Sequence, residues 1–219
     1  LSLAFEFTTP IILALLINEV RSKMASGLIK SISVFPHFIS LIIVCGIVKD
    51  FTSMNGVINE MLKNFGYDGL AMLQKPELFR PIYIVSGIWQ NIGWDSIIYI
   101  AALMAIDSTL YEAASIDGAG RWRQLFSITI PSILPTIIVM FILRVGNIMN
   151  VGFEKIILLY NPINYETSDV IASFVYRKGL IDFQWSYAAA VGLFNSVINL
   201  TLLLVANRAS KKVSSSSLW

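Results

Sequence analysis

An all-α, polytopic membrane bundle is the fold class the sequence predicts, and three observations predict it. Of 219 residues, 56% are hydrophobic and 14% charged, with a mean hydropathy of +0.70, well outside the composition of soluble domains. The apolar residues gather into runs close to the length of about 20 that a spanning helix needs. The stretches between those runs hold most of the charges.

Five runs qualify or nearly so: roughly 1–18, 28–48, 82–106, 132–152 and 187–206. The first carries Glu6. The second holds Pro36 and His37, which neighbouring helices can accommodate where the freed carbonyl finds another donor. Leu1 opens inside an apolar stretch with no initiator Met and no charged region before it, so the sequence reads as N-terminally truncated. Five spans are visible and six are expected, in a single transmembrane domain covering 1–219.

Lys and Arg set the topology, because cytoplasmic flanks carry their excess. Placing 19–30, 107–131 and the tail inside gives that side Arg21, Lys23, Lys30, Arg121, Arg123, Arg208, Lys211 and Lys212, in short segments. Against them stand Glu19, Asp107, Glu112 and Asp117. The long connections 49–81 and 153–186 then lie outside, and Leu1 with them. In the second of these, Thr167 or Ser168 can cap an amphipathic surface helix whose apolar face is Val170, Ile171, Phe174 and Val175.

Several function classes are excluded. A net charge of +2 without a basic block gives no nucleic-acid footprint. One cysteine, Cys45, and one histidine, His37, support neither a disulfide framework nor a metal cluster. The glycine-rich loop that cradles ATP phosphates is absent, and no nucleophile stands with a base.

The connection 107–131, DSTLYEAASIDGAGRWRQLFSITIP, is too polar to span and too patterned for a plain loop. It reads as two short helices. Thr109 and Glu112 fit a capping box, so the first can begin near Thr109. After Gly118 and Gly120, the residues Trp122, Leu125 and Phe126 fall at i, i+3 and i+4, an apolar face expected to pack against the spans. Pro131 then opens the next span.

Glu112, Ala113, Ala114, Gly118, Ile128 and Pro131 stand at the spacings of the cytoplasmic signature of permease subunits of binding-protein-dependent ABC importers, with Ile130 where that signature carries Leu. The chain resembles this family over essentially its whole length. Phe79 to Ala105, the run Asn-Val-Gly-Phe-Glu-Lys at 150–155 and Tyr-Asn-Pro at 160–162 are similar to maltose-type permeases for oligosaccharides and fragments of complex polysaccharides. The closing Ser-Leu-Trp resembles that group's C-terminus.

The resemblance implies the type I importer permease fold in the bacterial cytoplasmic membrane. It also implies a cytoplasmic ATPase pair that binds ATP and magnesium, a second permease, an external solute-binding protein and a sugar cargo. It places Glu112, Ala113, Ala114, Asp117, Gly118 and Arg121 at the ATPase contact. Glu112 also fits a simple helix cap. This chain is then a transport subunit, without a cofactor of its own and not an enzyme.

The third span has a polar seam of Ser86, Gly87, Gln90, Asn91, Trp94 and Asp95 on one half of its wheel. In the fourth, Arg144, Asn147 and Asn150 step round one broad face. Polar groups in a spanning helix face the protein interior or a wet cavity, where they touch cargo or bind helices together. Gln90, Asn91, Trp94, Arg144, Asn147 and Asn150 form the candidate pathway, and the resemblance puts cargo contacts near the same places. Arg144 either snorkels outward or pairs with Asp95. Asn195, Asn199 and His37 are read as interhelical ties. Two alternatives remain: a same-fold permease for another solute such as a peptide or amino acid, and an ion-coupled carrier that works without an ATPase.

Overall fold

In the computed structural model, residues 2–66, 68–148 and 152–213 are described. The Asn150 expectation and the Ser-Leu-Trp ending fall outside them. Helices α1 (Ser2–Asn18), α2 (Lys23–Val34), α3 (Leu41–Thr52) and α4 (Val57–Lys63) lead to the long α5 (Pro76–Met104). Then come α6 (Ser108–Ile116), α7 (Arg121–Gln124), α8 (Ile130–Gly146), α9 (Phe153–Leu159), α10 (Tyr165–Ser168), α11 (Ile171–Tyr176) and α12 (Trp185–Val213). No strand occurs among the described residues.

Leu41–Lys63, Arg121–Gly146 and Trp185–Lys211 are long and apolar enough to cross a membrane, and α5 with α6 forms a fourth such stretch bent by 65°. The apolar α1 is shorter, at 17 residues. Among the described residues all five expected apolar segments are largely helical, with revised boundaries. The expected span 28–48 is broken: α2 ends at Val34, a 3-10 turn takes Phe35–Phe38, and α3 starts afresh at Leu41. Pro36 has no N–H for the Ile32 carbonyl, and the Ser40 hydroxyl accepts from the Ile43 N–H at 3.4 Å to open the new helix.

The stretch expected as a second short helix is instead the beginning of the fourth span. From Arg121 the backbone stays helical to Gly146, passing through a π-turn at Leu125–Thr129. Pro131 cannot donate one turn back, and the wider i→i+5 turn, with Ile130 N–H donating to Leu125 O, absorbs the mismatch without ending the helix. Trp122 and Phe126 do not pack against the spans as expected. They are 75% and 63% exposed and stack on each other, with ring centroids 6.4 Å apart.

The chain clusters into two compact units, one drawn from 1–35, 91–146 and 201–219 and the other from 36–90 and 147–200. The first has a core of Ala14, Tyr99, Leu103 and Ile133. Within it α1 and α8 run antiparallel: Glu6 meets Arg144 and Phe7 meets Phe141, while further along α1 Ala14 joins Ile133 in the core. Opposite directions are what the charge-derived topology expects of the first and fourth spans. Gly93 of α5 sits so close to α2 that a Cβ would lie 2.1 Å from the Ser33 backbone, a glycine contact of the kind that lets spanning helices approach.

The second unit has a core of Cys45, Phe79 and Leu159. Its outer connections are tied by side chains. Asn164, fully buried, donates to the Leu73 carbonyl at 2.9 Å and accepts from the Asn161 N–H at 2.9 Å and the Ser168 hydroxyl at 3.0 Å. Thr167 and Ser168 are spent here and in a bond to the Pro76 carbonyl at 2.7 Å, so neither caps the surface helix as expected; that helix starts at Ile171.

Asp169 binds the Arg177 guanidinium through both oxygens, and Arg177 also covers the Tyr165 ring at 4.9 Å. The Arg177 hydrogen bonds hold the Asp169 carboxyl below its ordinary value of 3.8, outweighing the upward push of partial burial. A depressed folded-state value stabilises the loop above the unfolded value and loses that contribution as pH falls through the folded one. Amide protection across 164–177 is therefore expected to be flat from about pH 8 to 5 and to drop below about pH 4. Hydrogen exchange reads this directly, and Asp169→Asn should remove the acid step.

Candidate functional site

Helix α6 is the best defined part of the site. Its N-cap is Asp107, whose carboxylate accepts the Thr109 N–H at 2.9 Å, so the expected Thr109–Glu112 capping box is not used. That same N–H bond keeps the Asp107 carboxyl below its ordinary value. Glu112 is thereby released from capping and stands exposed in mid-helix beside Ala113.

The helix ends at Gly118, with φ +74°. Ala119 N–H donates to the Ala114 carbonyl at 2.8 Å and Gly118 N–H to the Ser115 carbonyl at 3.1 Å. This is the paired closure that requires a left-handed residue after the helix. No atom lies within 4 Å of a Cβ built on Gly118, so the glycine is needed for its backbone conformation alone.

Side chains then fix α6 against the next helix. The Gln124 amide donates to the Ala119 carbonyl and the Ser115 hydroxyl, each at 3.0 Å, and the Tyr111 hydroxyl meets that of Thr129 at 2.9 Å. The outcome is a short, rigid projection. Ile116 at its tip is 87% exposed, and Glu112, Ala113 and Asp117 are exposed near it. Small side chains at 113 and 114 allow another helix or groove to come close, and a carboxylate can accept charge-assisted hydrogen bonds from Arg or Lys. Arg121 is already engaged, 3.6 Å from Glu19 in the α1–α2 connection.

The pathway candidates are more dispersed. Gln90, Asn91 and Trp94 share α5, with Gln90 buried and Trp94 46% exposed. Ser86 of the same seam donates back to its own helix at Ile82 and Tyr83. Asn91, Trp94 and Arg144 fall in the first unit, Gln90 and Asn147 in the second. Asn147 lies in the turn after α8 and is exposed.

Arg144 neither snorkels nor takes Asp95. Its Nη2 donates to Glu6 Oε2 at 2.7 Å. Glu6 was visible in the sequence as an acid within an apolar run, and ionisable groups in spans pair with one another. Its partner could not be chosen without the α1–α8 register. Gly93 and the Asp107 cap also escaped the sequence reading. The signal for Gly93 was a glycine inside a spanning run; for Asp107, an Asx residue just before a helix.

Residues 7–215 match the family described as binding-protein-dependent transport system inner membrane component. The chain is 43% identical, over 97% of its length, to the polygalacturonan/rhamnogalacturonan transport system permease protein YteP of Bacillus subtilis, and 40% identical over its full length to that organism's protein LplB. It spans 66% and 69% of those relatives. Among solved structures, it superposes on a bacterial alginate ABC transporter in complex with alginate pentasaccharide-bound periplasmic protein. There the TM-score is 0.97 at 49% identity, covering 99% of this chain and 76% of that one. The apolar spans, the signature loop folded as a capped projection and these likenesses converge: the chain is a multi-pass membrane protein belonging to the binding-protein-dependent transport system inner membrane component family.

Proposed function

We propose that this chain is a transmembrane subunit of an ATP-driven oligosaccharide importer in a bacterial cytoplasmic membrane, providing half of the passage and coupling to a cytoplasmic ATPase through α6. The observation that carries this is the α6 projection. A helix of nine residues, closed at Gly118 and braced by Gln124, presents Glu112, Ala113, Ile116 and Asp117 to the side that the charge count places inside. Such a projection transmits force, because it is rigid and its load passes straight into the fourth span through Arg121–Gly146. ATP and magnesium belong to the ATPase pair. A second permease completes the passage, and an external binding protein delivers cargo.

An oligosaccharide cargo is supported by the names of the relatives, one a polygalacturonan/rhamnogalacturonan transport system permease and one an ABC transporter involved in the import of the acidic polysaccharide alginate. It also suits amide and indole groups such as Gln90, Asn91, Trp94 and Asn147, which match hydroxyls and the flat faces of sugar rings. Arg144, a candidate with these, stands on the fourth span and is tied to Glu6.

The test is copurification of the full-length protein with its candidate ATPase and second permease, followed by binding-protein-stimulated ATP hydrolysis and uptake of labelled oligogalacturonide in vesicles. Association is expected, and Glu112→Lys, a charge reversal at the contact, should cut coupled hydrolysis about tenfold or more. Uptake without any ATPase would establish an ion-coupled carrier instead. ATP-driven uptake of a peptide in place of the sugar would keep the coupling and overturn the cargo.

A further inference from the structure

Helix α2 is built inside out. Met24, Leu28, Ile32 and Phe35 form an exposed apolar stripe, while Ser26 and Lys30 line a cavity with residues of α1 and α5 and the Ser33 backbone lies against Gly93 of α5. In a bilayer such an apolar face meets lipid tails or the apolar surface of another spanning helix. The polar face closes over this partly open cavity of about 110 Å³, whose lining includes Asn18, Ser26 and Lys30 as well as Ile17, Leu103 and Met104. That is room for several water-sized groups.

Lys30 makes no ion pair or hydrogen bond among the described residues. No acid is among the described residues that line the cavity; Glu19, next in sequence to Asn18, pairs with Arg121, and Asp107 accepts the Thr109 N–H. The cavity is therefore lined by a lysine without an ion pair, a serine and an asparagine, together with apolar residues of α1 and α5. Its position is set by the chain: Met104 precedes the α6 loop by three residues, and Asn18 precedes the Arg21 and Lys23 pair. It opens at the membrane face that carries the signature loop.

We propose that this cavity holds the phosphate of an anionic glycerophospholipid from the adjoining leaflet, with Lys30 as its counter-ion, Ser26 and Asn18 as donors, and an acyl chain along the exposed Met104. The chemistry needed is a phosphate monoanion joined to an apolar tail. Basic pockets between spanning helices on the cytoplasmic side take such headgroups. A lipid here would bridge α1, α2 and α5 at the root of α6.

The test uses the assembled full-length transporter, released from nanodiscs of phosphatidylcholine containing a minor fraction of phosphatidylglycerol and analysed by native mass spectrometry. The wild type is expected to retain phosphatidylglycerol over phosphatidylcholine. Lys30→Gln should weaken that retention about fivefold, the worth of one lysine near the surface. Lys30→Arg should retain it, as should Lys23→Gln, whose side chain lies exposed off the cavity.

Equal retention of the two lipids, or retention unaffected by Lys30→Gln, overturns the proposal. Filling of the cavity by another part of the assembly, such as the second permease, would show as no lipid retained by any variant and overturns it too. Inorganic phosphate offered alone separates the sources: binding of free phosphate with no lipid held assigns the site to a soluble anion. If Lys30→Gln fails to assemble, brominated phosphatidylglycerol quenching of a Met104→Trp indole decides, with quenching expected and its absence contrary. The transporter assignment stands or falls on uptake, so the two outcomes are separable.

Discussion

Gly118→Val is expected to abolish coupled transport while leaving the spans assembled, whereas Gly118→Asn retains most activity. The reasoning begins at one dihedral angle. With φ +74°, residue 118 lies where an L side chain costs about 1–2 kcal/mol, more for a β-branched residue, and where Asn is the best tolerated substitute. There is no steric objection to valine, because nothing lies within 4 Å of the position a Cβ would take. The cost is conformational, and the local helix can escape it by opening the closure. That surrenders the Ala119–Ala114 and Gly118–Ser115 bonds and lets the last turn of α6 fray, carrying Ile116 and Asp117 out of register with Glu112. A misplaced contact that costs about 2–3 kcal/mol at the interface lowers coupled hydrolysis by roughly 30- to 150-fold. Binding-protein-stimulated ATPase activity in nanodiscs measures it. Equal activity in the Val and Asn variants would show that the left-handed turn has no part in coupling.

The legible parts of this fold were those written in local chemistry. Apolar runs located the spans because lipid tolerates little else, and the 107–131 connection announced itself by Glu112, Ala113, Ala114 and Gly118 at fixed offsets. Gly118 could be read as a turn because glycine after a helix has one common use. The boundaries were harder. Pro36 and Ser40 each signal a break, yet both sit in an apolar run long enough to span, and hydropathy does not register a cap. At 125–129 the opposite happened: Pro131 looked like a start, and the π-turn let the helix continue through it. Asp107 outcompeted Thr109 as the cap because its carboxylate reaches the Thr109 N–H directly. What stayed illegible was long range. Pairing Arg144 with Glu6, 138 positions away, depends on how two helices are registered, and in lipid that register is set by packing and by small contacts such as Gly93 on Ser33 rather than by any local pattern.

That pair supports the second large expectation. Glu6→Gln leaves the Arg144 guanidinium among apolar side chains with its ion partner gone. Arg144 and Glu6 are 42% and 16% exposed, so the loss falls below the 3–5 kcal/mol typical of a wholly buried pair, at about 2–3 kcal/mol. For a chain of this size that lowers the melting temperature by about 5–10 °C. Arg144→Gln removes the same contact from the other side and should lower it as well. The double variant Glu6→Gln with Arg144→Gln should recover most of the loss, because two amides can hydrogen-bond across α1 and α8 without an unpaired charge. The charge swap Glu6→Arg with Arg144→Glu should recover it as well. Thermal unfolding of the detergent-solubilised assembly gives the four temperatures, and their double-mutant cycle gives the coupling energy. Additive losses in the double variant would mean that the 2.7 Å contact contributes nothing. Recovery of stability with transport still absent would place Arg144 in the passage as well as in the scaffold, since an amide pair rebuilds the tie but not the charge.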